Sequence, residues 1–148
     1  MKKTVLLLIA VLMAISIMIA TPSQGASVPL PEDIKIAAPA SDVPPEIAAF
    51  SGKWEGDWDG VLDAVLIVTE INRTEATVIY AWGDAPEWNT KKDYLKHKAI
   101  VTSGEKPKIK FFGGSRAFTF EMRKDLKTLN AEVEWRGQIS ETKFKKVN

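Results

Sequence analysis

Residues 117–135 read Ala117-Phe118-Thr119-Phe120-Glu121-Met122-Arg123, then Lys124-Asp125-Leu126-Lys127-Thr128, then Leu129-Asn130-Ala131-Glu132-Val133-Glu134-Trp135. Apolar and polar side chains alternate in both flanks. Phe118, Phe120 and Met122 fall on one side, with Thr119, Glu121 and Arg123 on the other. Leu129, Ala131, Val133 and Trp135 repeat the pattern against Asn130, Glu132 and Glu134. A period of two marks a strand with one face toward a core and one toward water. The polar spacer has room only for a turn, so the two strands are antiparallel neighbours.

The same alternation recurs on both sides of this pair. Strands are expected over Gly52–Trp58, Leu62–Ile71, Ala76–Trp82, His97–Thr102, Lys108–Phe112, Ala117–Arg123, Leu129–Trp135 and Ile139–Val147. No long stretch carries the 3.6-residue helical period. The spacers are turn-like: Asp59-Gly60, Asn72-Arg73-Thr74, Gly113-Gly114-Ser115 and Arg136-Gly137. Glycine accepts positive φ freely, which suits Gly113-Gly114-Ser115 to a hairpin. All the aromatic residues lie between Phe50 and Phe144. Eight sequential antiparallel strands bury such a face best by curling until their edges meet. The expectation is an all-β domain over 50–148, a small antiparallel meander β-barrel of about eight strands. A two-sheet sandwich is the alternative. A domain of this size buries roughly 60–70% of its unfolded surface, enough for a core without disulfides.

The chain before Phe50 has a different character. Met1, Lys2 and Lys3 form a short positive start. Val5–Ala20 carries no charge, and Ser23-Gln24-Gly25-Ala26-Ser27 supplies small residues. This three-part pattern is that of a secretory signal peptide over 1–25, of bacterial type, placing the mature protein in the periplasm or outside the cell. No stable membrane span is expected after cleavage; an uncleaved anchor is the alternative. Residues 26–49 contain Pro29, Pro31, Pro39, Pro44 and Pro45, five of the eight prolines. Proline fixes φ and removes a donor, so this segment reads as an extended linker. Ile34 and Ile36 are its candidates for packing on the domain.

Composition narrows the chemistry. Lys plus Arg is 20 and Asp plus Glu is 19 over 148 residues; loss of Lys2 and Lys3 with the leader brings the formal charge to −1. A near-neutral domain lacks the broad positive footprint of a nucleic-acid binder. The absence of cysteine excludes disulfides, thiolate metal sites, a Cys nucleophile and an acylated lipoprotein anchor. His97 is the only histidine, which excludes multi-His metal centres. Asp57-x-Asp59 resembles the start of a calcium loop, but the twelfth position is Val68, so the EF-hand pattern fails. No Gly-x-Ser-x-Gly elbow accompanies His97. No cofactor, metal or catalytic residue is assigned, although Glu55, Asp57 and Glu87 remain the carboxylates for a hydrolase reading.

Ser51-Gly52-Lys53-Trp54-Glu55-Gly56 places a Gly-x-Trp at the start of the first strand. In a small exported antiparallel barrel this resembles the calycin-like barrels, the lipocalin and avidin type. The resemblance implies that Trp54 closes one end of the barrel and that the other end holds a small ligand. It covers about ten residues plus the strand count, and this chain has no signal for the lipocalins' C-terminal helix. Val78–Pro86 also looks like a segment of uncharacterised exported bacterial proteins.

One connection is long. Gly83–Lys96 carries Trp88 and Tyr94, aromatics placed to close over a barrel mouth or to cover core at the barrel end. The candidate ligand-binding residues are Trp58, Tyr80, Trp82 and Trp88, with Asp57, Asp59 and Glu87 supplying polar orientation. Trp54 and Trp135 are expected in the core. The leading expectation is a non-enzymatic exported protein binding a small apolar or amphipathic molecule or a glycan at that mouth. An envelope protein-interaction module or inhibitor, with a protein partner, is the second reading, and a small hydrolase the third.

Overall fold

The computed structural model describes residues 27–148; the leader expected over 1–25 lies outside the described residues. Eight strands follow one another: β1 (Gly52–Trp58), β2 (Leu62–Ile71), β3 (Glu75–Trp82), β4 (Asp93–Thr102), β5 (Lys108–Gly113), β6 (Arg116–Met122), β7 (Thr128–Trp135) and β8 (Gln138–Val147). Each is antiparallel to the next, and β8 returns to β1 to close a meander barrel. The all-β expectation, the strand count and the closure hold, and the sandwich does not. The architecture is consistent with a calycin-like fold. Strand ends differ from expectation by a residue or so, except that β4 begins four residues earlier than His97.

The turn chemistry fixes the register. Arg136 (φ 51°) and Gly137 (φ 75°) make a two-residue connection that sets Trp135 opposite Gln138. Both central residues take the left-handed conformation that matches the twist of the flanking strands. At the β6–β7 end the Asp125 carboxylate accepts from the Lys127 and Thr128 amides at 2.9 Å each, and from the Thr128 hydroxyl at 2.7 Å.

Inward positions divide the barrel into a filled end and an open end. Trp54, Leu66, Val78, Ile109, Phe120, Leu129 and Phe144 are all fully buried. Phe120 meets Phe144 edge-on at 5.2 Å, and Trp58 meets Phe144 at 6.1 Å. The filled end is sealed by the segment read from the sequence as a linker. Pro45–Ala48 forms a short helix, α1, entered through Pro44. It places Ile47 and then Phe50 across the barrel, both fully buried, with Val43 beside them. The Trp54 indole donates to the Phe50 carbonyl at 2.8 Å, and Lys146 Nζ donates to the Ala49 carbonyl at 2.7 Å while lying 5.0 Å over the Trp54 ring.

The rest of the segment runs along the outside of the barrel. Val28 and Ile34 cover Val65, Ile67 and Ile79, which face outward from β2 and β3. Ala37 donates its amide to the Thr69 carbonyl at 2.8 Å, beside the bulge in β2. Ile36, the other expected anchor, stays exposed. Prolines here go with an extended chain, and at Pro44 and Pro45 with a helix start, and neither excludes docking. An extended chain with apolar residues every few positions still buries them. This also explains why β2, and β3 at Ile79, are apolar on the outer face as well.

Candidate functional site

Two seams shape the open end. β8 pairs with β1 only at Lys53↔Val147, Trp54↔Lys146 and Glu55↔Lys145. β4 pairs with β5 only at Ile100↔Lys110, Val101↔Ile109 and Thr102↔Lys108. Both sets of pairs lie toward the sealed end. Beyond these pairs the regular ladders stop, although the Thr142 hydroxyl still donates to the Asp57 carbonyl at 2.7 Å across the β1–β8 seam. Between the two seams lies a cavity of about 770 Å³.

Its floor is aromatic. Tyr80 packs on Phe118 at 4.6 Å and on Phe111 at 5.9 Å, and Trp82 lies 5.9 Å from Tyr80. Leu62, Leu95, Phe118 and Val133 add aliphatic and aromatic wall. The Trp58 indole donates to the Tyr80 hydroxyl at 2.7 Å. Burial raises the Tyr80 pKa well above its ordinary value, opposed by the Trp58 hydrogen bond and by the charge of Arg116. The phenol is therefore neutral across the physiological range.

The β3–β4 connection forms one side of the rim. Because β4 starts at Asp93, the connection is shorter than expected, and it is tied down. Ala85 and Thr90 bridge, the Lys92 amide donates to Asp84 Oδ1 at 2.9 Å, and the Trp82 indole donates to the Lys91 carbonyl at 2.9 Å. A 3₁₀ turn, Pro86–Trp88, ends in left-handed Asn89 and leaves Trp88 on the cavity wall, half-exposed. Tyr94 does not join it. It sits on β4 opposite Ala81, at a position where the strand faces outward.

The opposite rim carries Trp135, with the guanidinium carbons of Arg116 and Arg136 at 5.1 and 4.6 Å from its ring. Its indole donates to Ser115 Oγ at 3.2 Å. Trp135 was expected in the core by its alternation with Val133. The parity is right, but the position is one step past the filled interior, and 37% of it is exposed.

Of the residues singled out from sequence, Trp58, Tyr80, Trp82, Trp88 and Asp59 line the cavity. Asp57 and Glu87 do not. Asp57 faces outward, and its Oδ1 accepts from the Gly60 amide at 2.6 Å, so it shapes the β1–β2 turn. Glu87 is exposed on the 3₁₀ turn. Arg116, Gln138 and Ser140 line the mouth and were not anticipated. Inward parity carried back from Phe118 and Phe144 would have placed them there.

His97 is exposed beside Phe111, the rings 6.3 Å apart, and it makes no side-chain hydrogen bond among the described residues. No cluster of three or more His, Asp or Glu suited to a metal ion occurs among the described residues. No helix among them is long and apolar enough to cross a membrane. Comparison of the chain with protein families, with curated proteins and with solved structures finds no match.

Proposed function

We propose that this is an exported, non-enzymatic binding protein of calycin-like type that holds a small apolar or amphipathic molecule in the mouth of its barrel. The observation that carries the reading is the asymmetry of the interior. One end is stoppered by Ile47, Phe50 and Trp54, whereas the other opens into an aromatic-floored cavity of about 770 Å³. Small-molecule sites are concave, mostly apolar and about 300–1,000 Å³ in volume, with a few convergent polar groups. The sealed end with Trp54, opposite a cavity, is also the arrangement that the Gly-x-Trp resemblance implies.

The neutral dye N-phenyl-1-naphthylamine tests this. Its emission is expected to rise when mixed with the protein, and tryptophan emission to change with it, since four of the five tryptophans border the cavity. Ser140→Phe, which fills the mouth from β8, is expected to abolish the rise while leaving the circular dichroism unchanged. A parent protein that neither enhances the dye nor responds to a panel of lipids and sugars would remove the reading. A second reading, a protein-interaction module, draws on Ile100 (63% exposed) and Phe112 (58% exposed), apolar residues facing outward on neighbouring strands. Loss of partner capture in an Ile100→Lys, Phe112→Lys variant that still binds the dye would favour it.

A further inference from the structure

The cavity is apolar at its floor but not neutral at its rim. Lys91 and Arg116 line it, and Asp59 is the one carboxylate on its wall. Arg136 adds a third positive charge behind Trp135. None of these four charged groups makes an ion pair among the described residues. The Arg116 guanidinium carbon lies 5.1 Å over the Trp135 ring, and its N–H groups have no hydrogen-bond partner among the described residues. A guanidinium held beside an indole by cation–π attraction keeps its N–H donors for an acceptor such as a carboxylate.

The polar hydrogens of the cavity aromatics lead to the same place. The Trp58 indole is used on Tyr80, the Trp82 indole on the Lys91 carbonyl, and the Trp135 indole on Ser115. Trp88 is half-exposed on the cavity wall. The Tyr80 hydroxyl differs from all of these. Its oxygen accepts from Trp58, yet its own hydrogen goes to no acceptor among the described residues, and the side chain is only 3% exposed. A buried donor without an acceptor is costly, and acceptance from an N–H on the oxygen strengthens the O–H as a donor. Arg116 lines the same cavity as Tyr80.

We infer that the ligand is an amphiphilic anion, a carboxylate on a short apolar body, with its head accepting from the Tyr80 hydroxyl under the charge of Arg116. This rests on the cavity reading above and narrows it to one chemical class. A neutral alcohol or ester satisfies Tyr80 but leaves the rim charge uncompensated. An ammonium head offers no acceptor and meets like charge. A carboxylate answers both, and its apolar body lies against Trp82, Phe118 and Val133.

Three probes of equal chain length separate the alternatives: octanoate, 1-octanol and octylammonium, each titrated against the purified protein by tryptophan emission and by displacement of N-phenyl-1-naphthylamine. Octanoate is expected to bind at least about tenfold more tightly than octanol, with octylammonium weakest. In Arg116→Gln that preference is expected to fall to about twofold or less, and in Tyr80→Phe to shrink part of the way. Thermal melts confirm that each variant is folded. The octanoate preference is also expected to weaken as salt is raised. Equal binding of octanoate and octanol, or preference for octylammonium, overturns the anion assignment while the cavity reading stands. An octanoate preference that survives in Arg116→Gln overturns the role of Arg116. Failure of all three probes and of the dye overturns the cavity reading itself.

Discussion

Gly56 is where β1 comes closest to β8, and Gly56→Ala should be costly out of proportion to one methyl group. A Cβ built there falls 2.6 Å from Phe144 Cδ2, 2.9 Å from Phe144 Cε2 and 2.7 Å from the Lys143 carbonyl oxygen. The ring cannot simply swing aside. Phe144 is fully buried, edge-on to Phe120 at 5.2 Å and to Trp58 at 6.1 Å. The carbonyl belongs to the backbone of β8, so relief requires the strands to part. Overpacking of this kind costs about 1–3 kcal/mol, and the backbone contact puts this site at the upper end. Alanine is easier to hold in a strand than glycine by about 0.5–1 kcal/mol, which offsets part of that. The net expectation is a loss of about 2 kcal/mol. At about 4 °C per kcal/mol for a domain of this length, the melting temperature falls by about 8 °C.

The assay is thermal and urea unfolding of the parent, Gly56→Ala, Phe144→Leu and the double variant. The m-value should be unchanged if only stability has moved. Phe144→Leu withdraws the ring atoms that the new methyl meets. The double variant should therefore be more stable than the sum of the single losses predicts, by about 1 kcal/mol. A Gly56→Ala protein as stable as the parent would refute the close approach of β1 and β8. Strict additivity with Phe144→Leu would place the clash elsewhere than on that ring.

Ile47→Ala should cost about 2–4 kcal/mol, read as a lowered urea midpoint, because Ile47 is fully buried in the stopper. A residue in a free linker would cost nothing. The three hydrogen bonds to the Asp125 carboxylate hold its pKa below the ordinary aspartate value. Its contribution is therefore present above the ordinary value and lost as pH falls through the depressed one. Urea midpoints at neutral pH and at about pH 2 should accordingly fall closer together in Asp125→Ala than in the parent, and an unchanged gap would remove the β6–β7 cap from the account.

The barrel was legible because most of its strands have one wet face. Phe118 to Met122 and Leu129 to Val133 alternate cleanly, although the turn between them holds Leu126 in the left-handed region, which its residue type does not announce. Two things were less legible, for different reasons. The docking of 28–50 was masked because proline reports the absence of regular structure and says nothing about burial, while β2, whose outer face it covers, merely looked more apolar than its neighbours. The site was half legible. Trp58, Tyr80 and Trp82 follow from their inward parity, but Asp57 lies one residue out of phase and so faces away from the cavity. Acidity beside tryptophan suggested a role that the period of two denies it. Tyr94 is the complementary case: β4 extends back to Asp93, so the period of two turns Tyr94 outward as well.

Parity also explains why the mouth is open rather than filled. Along the inward face the residue type changes with height. Near the sealed end the inward residues are Trp54, Leu66, Ile109, Phe120 and Phe144, all fully buried. At the mouth the same face of the same strands presents Gly113, Arg116, Gln138 and Ser140. Gly113 is small for a different reason, close packing: a Cβ there would lie 3.0 Å from Leu95 Cδ2 and 3.1 Å from Phe118 Cε2. A barrel built only for stability would continue large apolar residues to the rim and zip both seams, since each buried methylene contributes about 0.8 kcal/mol. This chain instead ends the β1–β8 and β4–β5 ladders after three residue pairs each, and sets Gly113, Arg116, Gln138 and Ser140 among the aromatic and aliphatic residues of the mouth. The cavity is thus encoded as a change of residue type along an unbroken alternation.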